Sequence, residues 1–249
     1  MIERDALVHH LDNLLEVSRF KDYGPNGLQV EGRVQVRKLV SGVTASAAFI
    51  EAAAACGADA VLVHHGLFWR GHDGRVSGWL KKRLMALLAR DISLFAYHLP
   101  LDAHPEFGNN AQLGARLKFT LEERFGEQQL GCIGRPAQPL TPAALTALLQ
   151  YRLARQPLVL EGDGRPIRRV AWCTGGAQGY FEAAIAAGAD AYLTGELSEP
   201  QAHIARETGV AFYACGHHAT ERYGAAALGA HLAQLFGLEH QFIDIDNPA

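Results

Sequence analysis

An internal repeat constrains the fold of this chain more than any other feature. In each half, a strand-like segment and a helix-like segment precede the tetrapeptide Gly-Ala-Asp-Ala, at residues 57–60 and again at 188–191. In each half, the tetrapeptide leads into a second strand, a helix and a third strand that ends at a histidine. Strands separated by helices need crossover connections, which favours mainly parallel sheet. The repeat therefore predicts an α/β fold of two related lobes.

Periodicity and capping signals place the individual elements. In the first half, helices are expected at 6–15, 45–56 and 79–89, and strands at 38–43, 58–63 and 93–97. In the second half, strands are expected at 168–173, 188–194 and 210–214, and helices at 179–187 and 201–208. Glycines and prolines punctuate residues 127–165, which we interpret as a connection with one short helix from Pro142 to Arg152, capped by Thr141. The predicted lobes are residues 1–126 and, with the connection, 127–249.

Composition narrows the class of protein. The chain has 249 residues, 49% of them hydrophobic, with a formal net charge of −3, as expected for a globular protein that recognises neither nucleic acid nor an acidic membrane by bulk charge. The charged N-terminus, Met1 to Asp5, lacks the apolar core of a signal peptide, and no apolar run approaches the ~20 residues of a membrane span. We expect a cytoplasmic protein with no membrane or nucleic-acid partner.

Histidines and carboxylates follow the predicted strands. His64 and His65 come directly after one strand, and His98 follows the next, with Asp102 four residues later. In the second half, His217 and Glu221 are spaced i, i+4, which places them on one face of a helix. Imidazole nitrogen and carboxylate oxygen are the donors with which hydrolytic centres hold a metal and activate water. Histidines that simply hydrogen-bond to backbone at strand ends are the alternative.

The repeat allows the histidines and carboxylates of the two halves to be aligned. Adjacent residues on a strand point to opposite faces, so His64 and His65 are better suited to two ions than to one. Aligning the last strands places His217 on His98 and Glu221 on Asp102, and aligning the central strands places Glu196 in the position of His65. The expected metal site lies at strand ends between the lobes. Its candidate ligands are His64, His65, Asp102, His217 and Glu221. His98 and Glu196 are candidates for supporting a ligand or contacting substrate.

Residues 174–179, Thr-Gly-Gly-Ala-Gln-Gly, also stand between a strand and a helix. Amides in such a position can receive a phosphate. The segment lacks the spacing of a dinucleotide-binding loop and the lysine of a P-loop, so a tight turn is the simpler interpretation.

Six short motifs carry a family resemblance. They lie at residues 23–30 (Tyr-Gly-Pro-Asn-Gly-Leu-Gln-Val), 42–44, 63–66, 98–102, 108–110 and 216–221. With them the chain resembles the Nif-three-like family, whose short bacterial members carry the name GTP cyclohydrolase I type 2 homologue. The resemblance implies a dinuclear metal site and a homohexameric ring whose sites face its cavity. The family's ligand pattern falls on His64, His65, Asp102, His217 and Glu221, and leaves out His218.

These observations support two functions. The first is a metal-dependent hydrolase acting on a purine nucleotide, either by opening the ring of GTP at C8 or by processing damaged nucleotides, with Asp102, Glu221 or His98 moving protons. The second is a non-enzymatic metal-binding ring that acts as a metal chaperone, sensor or interaction scaffold. Either would hold two divalent ions per chain, and these ligands suit zinc, iron, manganese and nickel alike.

Overall fold

The computed structural model describes residues 1–249. The chain begins with β1 (Ile2–Glu3), α1 (Arg4–Leu14), β2 (Gly27–Val30), β3 (Gln35–Val36), β4 (Lys38–Thr44), α2 (Ala47–Ala55), β5 (Ala60–His65), α3 (Gly78–Leu88), β6 (Ser93–Ala96) and α4 (Leu99–Ala103). It continues with α5 (Asn109–Leu117), β7 (Phe119–Phe125), β8 (Gly131–Pro136), α6 (Pro142–Leu153), β9 (Leu158–Leu160), β10 (Val170–Trp172), α7 (Phe181–Ala186), β11 (Ala191–Thr194), α8 (Glu199–Thr208), β12 (Ala211–Ala214) and α9 (His217–Glu221). It ends with α10 (Gly224–Phe236) and β13 (Glu239–Phe242).

Contacts divide the chain into two compact units. The first unit comprises residues 1–108 and 224–246, and the second comprises 109–223 and 247–249. The sequence placed the division between 126 and 127 instead. Residues 224–246 belong with the first unit because β13 pairs with β4 and α10 packs on β4 and β5. Residues 109–126 belong with the second because α5 packs on β7 and β7 pairs with β8.

A five-stranded sheet forms the centre of the first unit, in the order β13-β4-β5-β6-β2. The first four strands run parallel and β2 is antiparallel to β6. Alternate residues of β5 face opposite cores: Val61 and Val63 pack with α2 and α3, whereas Ala60 and Leu62 pack with α1 and α10. Helices on both faces bury this strand, and His64 and His65 are its last two residues.

A six-stranded sheet forms the second unit, in the order β7-β8-β10-β11-β12-β9. The three central strands β10, β11 and β12 are parallel, as the repeat predicts, and the outer pairings are antiparallel. Our interpretation of 127–165 as a connection is therefore wrong, since β8 and β9 lie in this sheet. The predicted helix in this segment is confirmed: α6 has Pro142 in its first turn, and Thr141 Oγ1 accepts a hydrogen bond from Ala144 N at 3.1 Å.

The repeated aspartate has the same structural role in both units. Asp59 Oδ2 accepts hydrogen bonds from the backbone amides of Arg37 and Lys38, at 2.8 and 2.9 Å, where β4 begins. Asp190 Oδ2 accepts hydrogen bonds from the amides of Arg168 and Arg169, at 2.9 and 3.0 Å, just before β10. In each unit, the carboxylate between helix and central strand thus fixes the start of the neighbouring strand.

The predicted α/β class is confirmed, with parallel strands at the centre of both large sheets. None of the helices combines the length and apolar character needed to cross a membrane.

Candidate metal centre

Three histidines meet at the ends of β5 and β6 in the first unit. His64, His65 and His98 each offer one ring nitrogen, and these atoms lie within 4.8 Å of one another. The rings of His64 and His65 are 4.6 Å apart between centroids, and those of His64 and His98 are 4.9 Å apart. Although they are consecutive on a strand, the first two rings therefore come together where the chain leaves the sheet.

Hydrogen bonds fix the orientation of His64. Its Nδ1 lies 3.0 Å from the carbonyl oxygen of Tyr97 and must carry the hydrogen, because a carbonyl only accepts. Its other ring nitrogen, Nε2, faces Oδ1 of Asp102 at 3.5 Å. Both side chains are buried, with exposed fractions of 0% and 9%. A ring nitrogen and a carboxylate that face each other in a buried place are a pair of donors that a metal cation can bridge.

The neighbouring His65 is held by a hydroxyl group. Its Nδ1 lies 3.1 Å from Oγ1 of Thr44, the last residue of β4, and the two residues are register partners in the sheet. This contact leaves Nε2 as the ring nitrogen available to a metal. The only sequence signal for Thr44 was its place in the motif at residues 42–44.

A carboxylate that the sequence reasoning missed orients His98. Asp22 Oδ1 accepts a 2.7 Å hydrogen bond from His98 Nδ1, and its Oδ2 accepts hydrogen bonds from Leu99 N and from the side-chain amide of Asn26. Burial raises the pKa of Asp22, but the hydrogen bond and charge of His98 lower it below its ordinary value. The only sequence signal for Asp22 was its place next to the turn-rich segment that begins at Tyr23.

In the second unit, the expected helical pair is present on α9. His217 and Glu221 occupy the first and last residues of this helix, and His217 Nε2 lies 3.1 Å from Glu221 Oε2. The Glu221 side chain is 3% exposed. His98 and Asp102 have the corresponding places in the first unit, since His98 immediately precedes α4 and Asp102 lies one turn into it. The two units therefore repeat a strand, a histidine and a carboxylate one turn later.

Glu196, for which the sequence left open whether it supports a ligand or contacts substrate, contacts this histidine. Its Oε1 accepts a 2.6 Å hydrogen bond from His217 Nδ1. Burial lowers the pKa of His217, but hydrogen bonds and charge from Glu221 and Glu196 outweigh it and raise the pKa to about 9. Two carboxylates thus favour positive charge at this imidazole, and a metal ion bound at Nε2 would supply that positive charge.

The glycine turn at 174–176 lies against these carboxylates. Gly175 has φ +70°, and a Cβ built there would meet Glu221 Oε1. A hydrogen bond from its amide to Thr220 Oγ1 at 3.0 Å ties the turn to α9. The turn is therefore shaped around a buried carboxylate, which accounts for the glycine at position 175 without a phosphate.

The donor chemistry in each unit fits a metal. The first unit provides imidazole nitrogens from His64 and His65 and a buried carboxylate from Asp102, and the second provides His217 and Glu221. In all three histidines, the other ring nitrogen is engaged by a carbonyl, hydroxyl or carboxylate oxygen. Outer partners of this kind set the tautomer and orientation of metal-binding histidines.

Comparison with known proteins places the chain in a family. The sequence model of Duf34/NIF3 (NGG1p interacting factor 3) matches residues 2–248. A Pseudomonas aeruginosa protein named GTP cyclohydrolase 1 type 2 homolog is 55% identical over 251 residues, covering 100% of this chain and 99% of that protein. The solved structure of protein ybgI, described as of unknown function, superimposes with TM-score 0.96 at 46% identity, covering 100% of both chains. That of TTHA1606 from Thermus thermophilus gives TM-score 0.90 at 34% identity and the same coverage. The chain is a member of the Duf34/NIF3 family.

Proposed function

We propose that this protein is a metal-dependent hydrolase that acts on a purine nucleotide through a dinuclear metal centre. The proposed ligands are His64, His65 and Asp102 from the first unit and His217 and Glu221 from the second. The purine nucleotide follows from the name GTP cyclohydrolase 1 type 2 homolog, which curated relatives at 48–56% identity carry. The hexameric ring implied by the resemblance belongs to the same proposal.

One observation supports the metal centre most directly. In both units, a histidine whose other ring nitrogen is hydrogen-bonded to protein turns its Nε2 toward a buried carboxylate, at 3.5 Å for His64 and Asp102 and at 3.1 Å for His217 and Glu221. A purely structural histidine gains little from a buried carboxylate at its Nε2, because each buried charge costs several kcal/mol of desolvation. Metal ligation explains why both carboxylates are buried beside imidazoles.

A divalent metal, when bound, supplies positive charge that stabilises developing negative charge and lowers the pKa of water. The chain itself must then orient the substrate and move protons. His98 is suited to move them, because Asp22 holds its Nδ1 at 2.7 Å and its ring lies 4.9 Å from that of His64. The buried carboxylates of Asp102 and Glu221 would bind the metal cation, and they are the alternative proton carriers.

The first test of the proposal is metal content. Metal analysis of the purified protein should give up to two ions per chain, and His65→Ala and Glu221→Ala should each lower that number. The matched control is His203→Ala on α8, whose side chain is 60% exposed and pairs only with Glu199 in its own helix. Unchanged metal content in both site variants would remove the assignment.

The second test is turnover at equal metal occupancy. An amide is nearly isosteric with a carboxylate but carries no charge and takes no proton, so Asp102→Asn should lower turnover of GTP or of oxidised and ring-opened purine nucleotides by at least ~100-fold. Asp163→Asn is the control, since that carboxylate is 52% exposed and pairs with Arg165. Equal rates for Asp102→Asn and wild type would place the activity elsewhere. No turnover of any purine nucleotide by the metal-loaded wild type would favour a metal-binding scaffold.

A further inference from the structure

Two aromatic side chains flank the histidine cluster of the first unit. Tyr23 is 60% exposed and its ring centroid lies 6.1 Å from that of His98, at an interplanar angle of 67°. Trp69 is half-buried, 5.1 Å from His98 at 89° and 5.9 Å from His65. Both rings therefore stand beside the same imidazole, and we call this pair the aromatic rim.

The loop that carries Tyr23 is fixed. The backbone amide of Arg70 donates to Tyr23 O at 2.6 Å, and its guanidinium donates to Asp22 O at 2.9 Å. The amide of Tyr23 donates to Asp22 Oδ1 at 2.6 Å. Gly24 lets the loop lie directly on the neighbouring segment, because a Cβ there would collide with Phe68 O and come within 3.4 Å of Trp69. These contacts hold the backbone that carries a largely exposed aromatic ring.

Other exposed aromatic residues have a local partner that explains them. The guanidinium of Arg83 lies 4.7 Å from the ring centroid of Trp79, and that of Arg152 lies 5.7 Å from the ring of Tyr151. The rim residues instead present their rings toward histidines at the end of the sheet. Aromatic rings that are partly exposed at the edge of a site are groups on which nucleobases stack.

We propose that the aromatic rim of Tyr23 and Trp69 binds the base of the nucleotide by stacking, which rests on the proposed function. Stacking there places the heterocycle beside His98 and His65, the groups assigned above to proton transfer and metal binding. Stacking recognises the flat face of a base rather than its hydrogen-bonding edge, so the rim selects for a nucleobase over a bare sugar phosphate and tolerates different purines.

Binding of two probes that differ only in the base tests this proposal. GMP and ribose 5-phosphate share the sugar and the phosphate monoester, and calorimetric titration of the metal-loaded full chain measures both. We expect Tyr23→Leu and Trp69→Leu each to weaken GMP binding by about 5- to 100-fold and to leave ribose 5-phosphate binding unchanged. Tyr23→Phe and Trp69→Phe should retain most of the GMP affinity, because phenylalanine keeps the π-face.

The controls are Tyr151→Leu and Trp79→Leu, which remove exposed rings of the same two residue types outside the rim and should not alter GMP binding. Equal metal content in all variants separates the loss of stacking from damage to His65. The proposal is overturned if the rim variants bind GMP as tightly as the controls, or if wild type binds GMP no more tightly than ribose 5-phosphate.

GTP turnover measured in parallel distinguishes this proposal from the proposed function. Turnover with a KM that the rim variants leave unchanged would overturn the base site and keep the hydrolase. GMP binding that depends on the rim, without turnover of any purine nucleotide, would keep the base site and overturn the hydrolase.

Discussion

Replacing Gly175 with alanine tests the geometry around Glu221 without touching a proposed ligand. The residue has φ +70°, and its missing Cβ would occupy the position of Glu221 Oε1. Alanine therefore meets two separate obstacles, the left-handed backbone and the buried carboxylate. Gly164→Ala is the matched control in the same unit, because Gly164 has φ +79° with nothing within 4 Å of its Cβ position.

The two variants should differ in a defined way. An alanine in the left-handed region destabilises the folded state by about 1–2 kcal/mol. Alanine also lowers the conformational entropy of the unfolded chain relative to glycine, which offsets about 0.4–1 kcal/mol of this loss. Gly164→Ala should thus lower the free energy of unfolding by roughly 1 kcal/mol. Gly175→Ala should cost a further 1–3 kcal/mol, roughly the usual penalty for an added buried methyl group. Because the Glu221 carboxylate must move from its 3.1 Å contact with His217, metal affinity should also fall, by about 10- to 100-fold.

Zinc provides the probe, with its affinity measured by competition with a chelator and unfolding followed in urea. Gly164→Ala should bind zinc as wild type does, whereas Gly175→Ala should bind it more weakly. Gly175→Ala could instead match Gly164→Ala in both zinc affinity and stability. The Glu221 carboxylate would then not lie against Gly175, and its assignment as a ligand would fail.

Three further predictions concern hydrogen-bonded groups outside the ligand set. Burial raises the pKa of Asp59, but the amides at the start of β4 and the guanidinium of Arg33 lower it below its ordinary value. The ionised Asp59 carboxylate therefore stabilises the fold fully above its unfolded pKa near 4, and this stabilisation is lost as the pH falls from there through the lower folded pKa. Asp59→Asn should lower the free energy of unfolding in urea by about 1–3 kcal/mol at pH 7, and the difference from wild type should shrink below about pH 4. A cost independent of pH would contradict this. Asp22→Asn replaces one hydrogen-bond-accepting oxygen with an NH2 donor, although the neighbouring groups, His98 included, donate to this side chain. The substitution should lower the free energy of unfolding by about 1–3 kcal/mol. An unchanged free energy of unfolding would show that the carboxylate is dispensable. Thr141→Ala removes the cap of α6 and should cost about 1 kcal/mol, measured as a lower Tm, whereas Thr141→Ser should not.

The local elements of this fold could be predicted from the sequence. Helix periodicity, the proline and threonine that begin α6 and the repeated aspartates are all short-range signals, and the structure places helices and strands where they indicate. The pairing of His217 with Glu221 could also be predicted from the sequence, because i, i+4 spacing alone puts two side chains on one face of a helix.

The pairing of distant strands required the tertiary structure. Outside the predicted helix, residues 127–165 have no alternating pattern long enough to reveal β8 and β9, and the place of these strands in the sheet depends on β7, β10 and β12. The return of α10 and β13 to the first unit depends likewise on β4, about 200 positions earlier in the chain.

The same distinction holds within the candidate site. The sequence by itself determined which residue types follow the strands, because imidazoles and carboxylates at strand ends are visible in any alignment of the two halves. Only the tertiary structure showed that Asp22 holds His98 and that Glu196 holds His217, since each pair is separated by a long stretch of chain, at 76 and 21 positions. Local spacing specifies neighbours on one element, whereas contacts between elements depend on packing that no single segment contains.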